Sequence, residues 1–254
     1  MAMSEISKIK IVVVCFSKKR FDFLIKSLIN FKEKINYEFD ILFLCSSKGD
    51  VDKNFIYKKL NKYFFEYTTE IYDDVYLDYS AYQKGLYLGQ DYDGLIFFND
   101  TLSSKHRSYF LQKKFIDSIN VVAAEKQSFP VLIGPSCKSE YRFSGKEVID
   151  FVPTYMFYVN KESYIFLERV FENMDDLIFK DEYHSFSEIH KLFLRKNNVN
   201  DSLINKKIAC CIAEREIYKE IKNNGLVYYI DSSVISSIII NVEKKIRNKL
   251  SLVS

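Results

Sequence analysis

Buried-strand patterns alternate with amphipathic helix patterns over the first hundred residues, and this alternation constrains the fold more than any other feature. The run KIKIVVVCFS, from Lys8 to Ser17, is almost continuously apolar and β-branched, which is typical of a strand covered on both faces. Apolar residues then recur at helical spacing from Phe21 to Ile29, before a second buried strand, FDILFLCSS, and a second amphipathic helix. We therefore predict an α/β fold with a mostly parallel central sheet.

The later part of the chain predicts further strands and a helical C-terminal part. Predicted strands are GLIFFN, FPVLIGPS, a single long strand VIDFVPTYMFYVN, and LVYYI; a short helix SAYQKGLYLG precedes the first of them, and a helix beginning near Ser103 follows it. A helix from about 200 to 224 is predicted to end at a Gly225 cap. We expect one catalytic domain over residues 1–232 and a basic amphipathic helix over 233–254.

Composition excludes several classes of protein. The net charge of +3 and the lack of a Lys/Arg block interleaved with aromatics argue against nucleic-acid binding. Five scattered cysteines without a C-x-x-C pair suit a reducing compartment, with Cys15 and Cys45 predicted as buried thiols. No segment has the roughly 20 apolar residues of a membrane span, and no secretory signal is evident. We expect a cytoplasmic protein.

Polar residues follow three of the predicted strands: Ser17-Lys18-Lys19, Ser46-Ser47 and Asn99-Asp100-Thr101. In open α/β sheets ligands bind outside the carboxyl ends of the strands, so these groups are expected to meet at one cleft. Asp100 could hold a divalent cation or the sugar hydroxyls of a nucleotide sugar. It could equally form a turn that caps the following helix.

Motifs along the chain resemble those of bacterial polysaccharide glycosyltransferases of the GT-A type, in particular the rhamnan-synthesis-F-like group. That group carries an Asp-x-x-x-Tyr-x-x-Gly-Leu stretch, a strand ending in Asn-Asp-Ser, a Gly-Pro turn, and a Glu-x-x-Leu-Ser helix before a glycine. The corresponding residues here are Asp78, Tyr82, Gly85 and Leu86, then Asn99, Asp100 and Thr101, then Gly134 and Pro135, and finally Glu214 and Ile217, with Tyr218 in place of the serine. The resemblance spans about residues 9–230.

The resemblance implies a GT-A-like nucleotide-sugar-binding fold and a glycosyltransferase. It would move a sugar, with inversion implied by Glu214, from a nucleotide sugar to a surface polysaccharide such as capsule or O-antigen, or to a lipid-linked glycan. Glu214 is the implied catalytic base, with Asp150 the second choice. The expected donor-binding residues are Ser17, Lys18, Lys19, Asp78, Tyr82, Gly85, Asn99, Asp100 and Thr101, and the expected acceptor-binding residues are Gly134 and Pro135.

A divalent metal, Mn²⁺ or Mg²⁺, is an open question at the sequence level. Asn99-Asp100-Thr101 stands where such enzymes carry two aspartates, and one carboxylate offsets less of a cation's charge than two. Asp100 could be the metal ligand, or it could bond the donor sugar or ribose while Lys18, Lys19 or Arg20 neutralises the diphosphate. His184 and His190 lie six residues apart, which is not the spacing of a helical zinc site.

Two other functions remain open from the sequence. A sugar nucleotidyltransferase would normally show a glycine-rich basic loop after the first strand, and CFSKKRFDF contains no glycine. A non-catalytic scaffold or binding module would keep the fold without the chemistry, as the single aspartate of the motif allows. Glu216 lies about 200° around the helix from Glu214, so the two carboxylates are not expected to share a cleft, and Glu216 is expected to be dispensable.

The C-terminal segment carries an apolar stripe beside a basic cluster. The stripe is Ile235, Ile239, Val242, Ile246, Leu250 and Val253, and the basic cluster is Lys244, Lys245, Arg247 and Lys249. A basic helix of this kind suits the surface of an anionic membrane, and would place the enzyme at the inner face of the membrane near a lipid-linked acceptor. Packing against the catalytic domain, or against a second copy in a homodimer, is the alternative.

Overall fold

The structure is a computed structural model that describes residues 8–61, 63, 66–103, 108–125, 127–140, 148–231, 239, 242 and 243. Strands and helices alternate as far as the fifth strand. The strands are β1 (Lys8–Cys15), β2 (Glu38–Ser46), β3 (Tyr67–Tyr72), β4 (Gly94–Asn99), β5 (Val131–Gly134), β6 (Cys137–Glu140), β7 (Val148–Phe151), β8 (Met156–Asn160) and β9 (Leu226–Tyr229). The helices are α1 (Lys18–Lys34), α2 (Lys53–Leu60), α3 (Asp78–Tyr87), α4 (Tyr109–Ala124), α5 (Tyr164–Glu172), α6 (His184–Lys196) and α7 (Asp201–Asn224).

The central sheet has seven strands in the order β3-β2-β1-β4-β8-β5-β9. All neighbouring strands pair in parallel except β8, which runs antiparallel to both β4 and β5. The prediction of an α/β fold with a mostly parallel sheet and a helical C-terminal part is confirmed. Because the carboxyl ends of β1, β2 and β4 lie side by side, the polar residues that follow these strands are neighbours in space.

Helices cover both faces of this sheet, as the continuous apolar strands predict. Along β1, Val12 and Val14 belong to one buried cluster with residues of α3, α5 and α7. Ile11 and Val13 belong to a second cluster with residues of α1 and α4. Cys15 and Cys45 are buried free thiols in adjacent strands. A strand buried on both faces needs apolar residues at every position, which explains why the pattern of β1 does not alternate.

The segment from 148 to 160 is two strands, and the prediction of one long strand is wrong. β7 pairs antiparallel with β6 in a small separate sheet, whereas β8 lies between β4 and β5 in the main sheet. Pro153 lies between them, in the turn formed by residues 152–155. Proline has no backbone N–H to contribute to a ladder, so it ends the first strand and leaves a turn at the carboxyl edge of β4.

Two predicted helix ends differ in detail from the structure. Residues Asp100–Ser103 form a 3₁₀ turn, and α4 begins later, at Tyr109, with Ser108 as its N-cap. α7 does end at Gly225, but this residue has φ −163°, which is extended and not the left-handed conformation of a glycine cap. Glycine is needed there for another reason, because a Cβ at this position would lie 1.9 Å from the carbonyl oxygen of Pro130.

Within the described ranges, no helix has the length and apolar character needed to cross a membrane.

Candidate active site

Asn99, the last residue of β4, joins two elements at the carboxyl edge of the sheet. Its Nδ2 donates to Asp78 Oδ2 at 2.7 Å and to Tyr82 Oη at 3.0 Å, both on α3. Its backbone N–H donates to the carbonyl oxygen of Tyr155 at 3.2 Å. Asn99 is only 5% exposed, so it is a fixed connection between β4, α3 and the turn before β8.

Asp100 is directed toward the end of β1. Its Oδ2 accepts hydrogen bonds from the backbone amides of Phe16 (3.3 Å) and Ser17 (2.9 Å), and its Oδ1 contacts Arg20 Nη1 at 3.1 Å. Ser17, the N-cap of α1, makes no side-chain capping bond of its own. The Asp100 carboxylate therefore satisfies amides that precede α1, at the end of the helix that favours negative charge.

Glu214, in the middle of α7, reaches the turn that precedes β8. Its Oε1 accepts hydrogen bonds from the backbone N–H of Thr154 at 3.0 Å and from Thr154 Oγ1 at 2.8 Å. The carbonyl oxygen of Thr154 in turn accepts a bond from Tyr82 Oη at 2.6 Å. The base candidate is thus held by a turn that is itself tied to α3.

A pocket of about 300 Å³ lies between these groups. It is lined by Leu77, Asp78, Tyr79, Asn99, Pro153, Thr154, Tyr155, Cys210, Cys211 and Glu214. Three of the residues predicted from sequence, Asp78, Asn99 and Glu214, therefore share one pocket at the carboxyl edge of the sheet. Leu77, which lines the pocket immediately before α3, has φ 53°, a conformation that leucine rarely adopts.

Burial and neighbouring carboxylates change the acidity of the pocket. Loss of solvent, followed by repulsion from Asp100 and Asp74, raises the pKa of Asp78 to about 7, against a smaller opposing effect of the Asn99 hydrogen bond. Burial also raises the pKa of Glu214, although both Thr154 hydrogen bonds favour its charged form and oppose this. Asp78 therefore holds its proton to a much higher pH than an exposed aspartate.

Tyr79 also lines this pocket, with a side chain that is only 4% exposed. Burial raises the pKa of its hydroxyl and the nearby Glu214 carboxylate raises it further, against an opposing hydrogen bond with Thr154.

The remaining predicted residues surround the pocket without lining it. Lys18 and Lys19 are exposed at the start of α1, and Tyr82 is fully buried behind the pocket wall. Gly85 packs on Val12, where a Cβ would come within 2.6 Å. Gly134 and Pro135 are buried at the end of β5, with a Cβ on Gly134 predicted 2.2 Å from Val152 Cγ1. Asp150 lies opposite Lys138 in the strand register of the small sheet, and Thr101 is in the 3₁₀ turn. The structure does not describe the side chains of Asp150 and Thr101.

Glu216 lies on another face of α7, as expected. It is 3% exposed, accepts a hydrogen bond from Tyr183 Oη at 2.6 Å, and forms an ion pair with Lys180. Burial acts to raise its pKa, but the hydrogen bonds from Lys180 and Tyr183 outweigh burial and lower it. These contacts tie α7 to the segment before α6, and the expectation that replacing Glu216 leaves turnover unchanged stays a prediction.

The described residues do not fit a divalent metal at Asp100. Its carboxylate is already engaged by two amides and Arg20, and the described ranges contain no group of three His, Cys, Asp or Glu side chains that could hold a metal ion. His190, on α6, packs beside Phe186, and its Nε2 lies 3.8 Å from Sγ of Cys211 on α7.

Thr154 and Tyr79 are pocket residues that the sequence did not single out. Neither carries a charge, and neither belongs to a motif whose spacing predicts chemistry. The proline in VIDFVPTYMFYVN was the available signal for Thr154, because a proline within a strand pattern indicates a break and hence a turn. Tyr79 lies one residue after Asp78 and lacks any comparable signal.

No family model matches the chain, and no curated protein matches it. Among solved structures, the chain is similar to a crystal structure of a protein from Bacillus anthracis, provisionally described as a glucose-1-phosphate thymidylyltransferase, in complex with a sucrose. The two are 10% identical with a TM-score of 0.39, over 87% of this chain and 85% of that one. A likeness this remote assigns no function to the chain.

Proposed function

We propose that this chain is a glycosyltransferase that moves a sugar from a nucleotide-sugar donor to a hydroxyl of a surface polysaccharide or lipid-linked glycan. The observation that carries the proposal is the meeting of Asp78, Asn99 and Glu214 in one pocket at the carboxyl edge of a mostly parallel sheet. These residues lie in separate segments of the sequence, and the resemblance implies a role in sugar transfer for each of them.

The charges of the described residues favour separate binding places for the sugar and for the diphosphate of the donor. The pocket is lined by two carboxyl groups and, in the described part of the chain, by no lysine or arginine, so it suits the uncharged hydroxyl groups of a sugar. A diphosphate would be repelled there. Lys18 and Lys19 are exposed at the start of α1, next to the strand end that Asp100 binds, and they are the proposed diphosphate contacts.

In the proposed reaction Glu214 acts as the general base. It takes the proton of the acceptor hydroxyl as that oxygen attacks the anomeric carbon, the bond from this carbon to the diphosphate oxygen breaks, and the nucleoside diphosphate leaves with both electrons of that bond. A raised pKa makes Glu214 a stronger base, provided that the pH is high enough to leave it ionised. Asn99 and Asp78 would orient the sugar hydroxyls.

The test is an assay of donor turnover with a panel of nucleotide sugars, with and without Mn²⁺, with release of nucleoside diphosphate as the readout. The proposal expects release with at least one donor, and no strict need for Mn²⁺. A parallel assay supplies a sugar 1-phosphate and nucleoside triphosphates and measures pyrophosphate. Pyrophosphate release in the second assay with none in the first would identify a sugar nucleotidyltransferase instead, and silence in both would favour a binding module.

A further inference from the structure

A chain of hydrogen bonds runs under the pocket and joins its two carboxyl groups. It starts at Asp78 Oδ2, passes through Asn99 Nδ2 to Tyr82 Oη, and continues from Tyr82 Oη to the carbonyl oxygen of Thr154. Thr154 then donates twice to Glu214 Oε1. The Tyr82 hydroxyl accepts from Asn99 and donates to Thr154, so each bond polarises the next.

The members of this chain are buried, so they have little freedom to rearrange. Tyr82 is 0% exposed, Asn99 5% and Thr154 8%. The Tyr82 ring is packed against Tyr79, Phe97 and Phe157 at centroid distances of 5.3–5.6 Å. Because the ring is packed in this way, the Tyr82 hydroxyl has a fixed position. Its hydrogen bonds in turn restrict the Asn99 side chain and the Thr154 carbonyl.

The chain also fixes the turn that binds Glu214. The Tyr82 hydroxyl donates to the carbonyl of Thr154, and the backbone N–H of Asn99 donates to the carbonyl of Tyr155. Two successive peptide units are therefore tied to α3 and β4. The Thr154 amide and hydroxyl consequently point at Glu214. Only Oε1 is engaged; among the described residues no donor contacts Oε2, which leaves that oxygen to the pocket.

Resting on the proposed function, we infer that Tyr82 and Thr154 are positioning residues, through which the Asn99 strand tip holds the Glu214 carboxylate with one oxygen toward the pocket. This differs from the direct donor contact expected for Tyr82. The other charged or titratable groups near Glu214 are Arg215, Cys210 and Cys211 on α7, Asp78, Tyr79 and Tyr82 on α3, and Tyr155 in the turn.

The test is a ¹³C NMR titration of the glutamate side-chain carboxyls, in which the Glu214 signal is identified by its absence from Glu214→Gln. Thr154→Val removes the hydroxyl donor and keeps the branched shape. Because a donor to the charged form is lost, its Glu214 midpoint is expected to rise by about one pH unit. Tyr82→Phe is expected to raise the midpoint less, about half a unit, because it loosens the turn without removing a direct donor. Thr154→Ser, which keeps the donor, should restore the wild-type midpoint.

Tyr164→Phe is the matched control. Tyr164 is buried and its Oη donates to the carbonyl of Tyr92 at 3.0 Å, so this variant loses a comparable hydrogen bond outside the chain described here. Its Glu214 midpoint should equal that of the wild type. A midpoint that stays at the wild-type value in both Thr154→Val and Tyr82→Phe overturns the inference, and Tyr82→Phe decides alone if Thr154→Val does not fold.

Turnover measurements separate this inference from the proposed function. If both hold, the acidic limb of the kcat–pH profile moves in Thr154→Val by the same amount as the NMR midpoint, so that kcat is about tenfold lower at pH values on that limb while donor KM is unchanged. If the midpoint moves and the kcat limb does not, the positioning role stands and Glu214 is not the base.

Discussion

Single carboxyl groups on α7 have separate tasks that depend on which face of the helix they occupy. Glu214 is bonded to the turn beside the pocket, whereas Glu216, two residues later, is bonded to Lys180 and Tyr183. Residues two positions apart in an α-helix point about 200° away from each other, so one can serve chemistry while the other serves packing. The effects of substituting them should therefore appear in different measurements.

Glu214→Gln should lower kcat by about 10²–10⁴-fold, because the amide cannot accept the acceptor's proton, while donor KM changes little. Steady-state kinetics with the donor identified by the panel assay measures both. Glu220→Gln is the control: it lies on the same helix and contacts Arg169 at 3.6 Å on the surface, so it should behave as wild type. Equal turnover in Glu214→Gln and Glu220→Gln would remove Glu214 from the mechanism.

Glu216→Gln should lower the free energy of unfolding by about 2 kcal/mol, because Lys180 and Tyr183 lose a charged acceptor in a buried place. The pKa of Glu216 is lowered on folding, so its contribution is present above the pKa of the unfolded glutamate and is lost as the pH falls through the lower pKa of the folded state. Urea unfolding at pH 7 and at pH 3 measures this. A difference between variant and wild type that does not shrink at pH 3 would argue against the ion pair as its source.

Asp78→Asn should change the pH dependence of stability in the opposite direction. The pKa of Asp78 is raised to about 7, so the folded state holds this proton more tightly than the unfolded chain does, and stability falls as the pH rises from about 4 to 7. Asparagine carries no such proton. The variant should gain melting temperature relative to wild type between pH 5 and pH 8; a constant difference across that range would mean that Asp78 titrates normally.

Among the elements, the turn between β1 and α1 depends on Asp100, the residue that follows β4. Asp100 binds the amides of Phe16 and Ser17 and the guanidinium of Arg20. α2 is capped differently, by Asp52 within its own segment, whose Oδ1 accepts from the Phe55 amide at 2.7 Å. The first helix is thus docked to the sheet tip by its cap, whereas the second is capped locally.

Asp100→Ala should therefore lower stability by about 2 kcal/mol, more than the roughly 1 kcal/mol expected for Asp52→Ala, because it also removes the partner of Arg20. Transfer should fall in Asp100→Ala, since the turn that carries Lys18 and Lys19 moves, and should be normal in Asp52→Ala. Thermal or urea unfolding alongside turnover checks both. Abolished transfer with unchanged stability in Asp100→Ala would instead indicate a direct role for Asp100 with donor or metal.

The elements could be predicted wherever one local pattern determined them. β1, β2 and β4 are apolar at nearly every position, and the helices after β1 and β2 carry regular stripes, so the parallel sheet followed from sequence. The insertion of β8 between β4 and β5 did not, because strand order depends on pairing across the chain and not on the composition of the strand. The site residues differ in the same way. Asp78, Asn99 and Glu214 could be predicted because they belong to recognisable motifs, whereas the role of Thr154 depends on its distance to Glu214 in the folded chain.

At the scale of the whole molecule, Glu243 connects the C-terminal segment to the start of α4. Glu243 accepts hydrogen bonds from Ser108 Oγ at 2.5 Å and from the Phe110 amide at 3.2 Å, at the start of α4. Most of the predicted basic helix over 233–254 lies outside the described residues, so its membrane contact and its dimer role stay predictions. The Glu243 contact favours a segment that packs, at least in part, on its own domain.

Truncation after Ser233 should lower the melting temperature, because the amino end of α4 loses a carboxylate that complements its dipole. Glu243→Gln should show a smaller loss in the same direction. Sedimentation with anionic vesicles at low and high salt, together with sizing, tests the remaining role of the segment: binding that weakens with salt and disappears on truncation supports a membrane surface, and a halved mass supports a dimer. An unchanged melting temperature in both variants would contradict the docking contact.

The close approach of Gly225 to Pro130 links the end of α7 to the position of a residue in the middle of that helix. Leu226 and Pro130 share a backbone hydrogen bond of 2.8 Å, and there is no room for a methyl group at 225. Even alanine there would push the end of α7 away from β5. Glu214, the proposed base, lies eleven residues upstream on the same helix, about 16 Å away, so we expect a displacement of this helix end to move its carboxylate relative to Thr154.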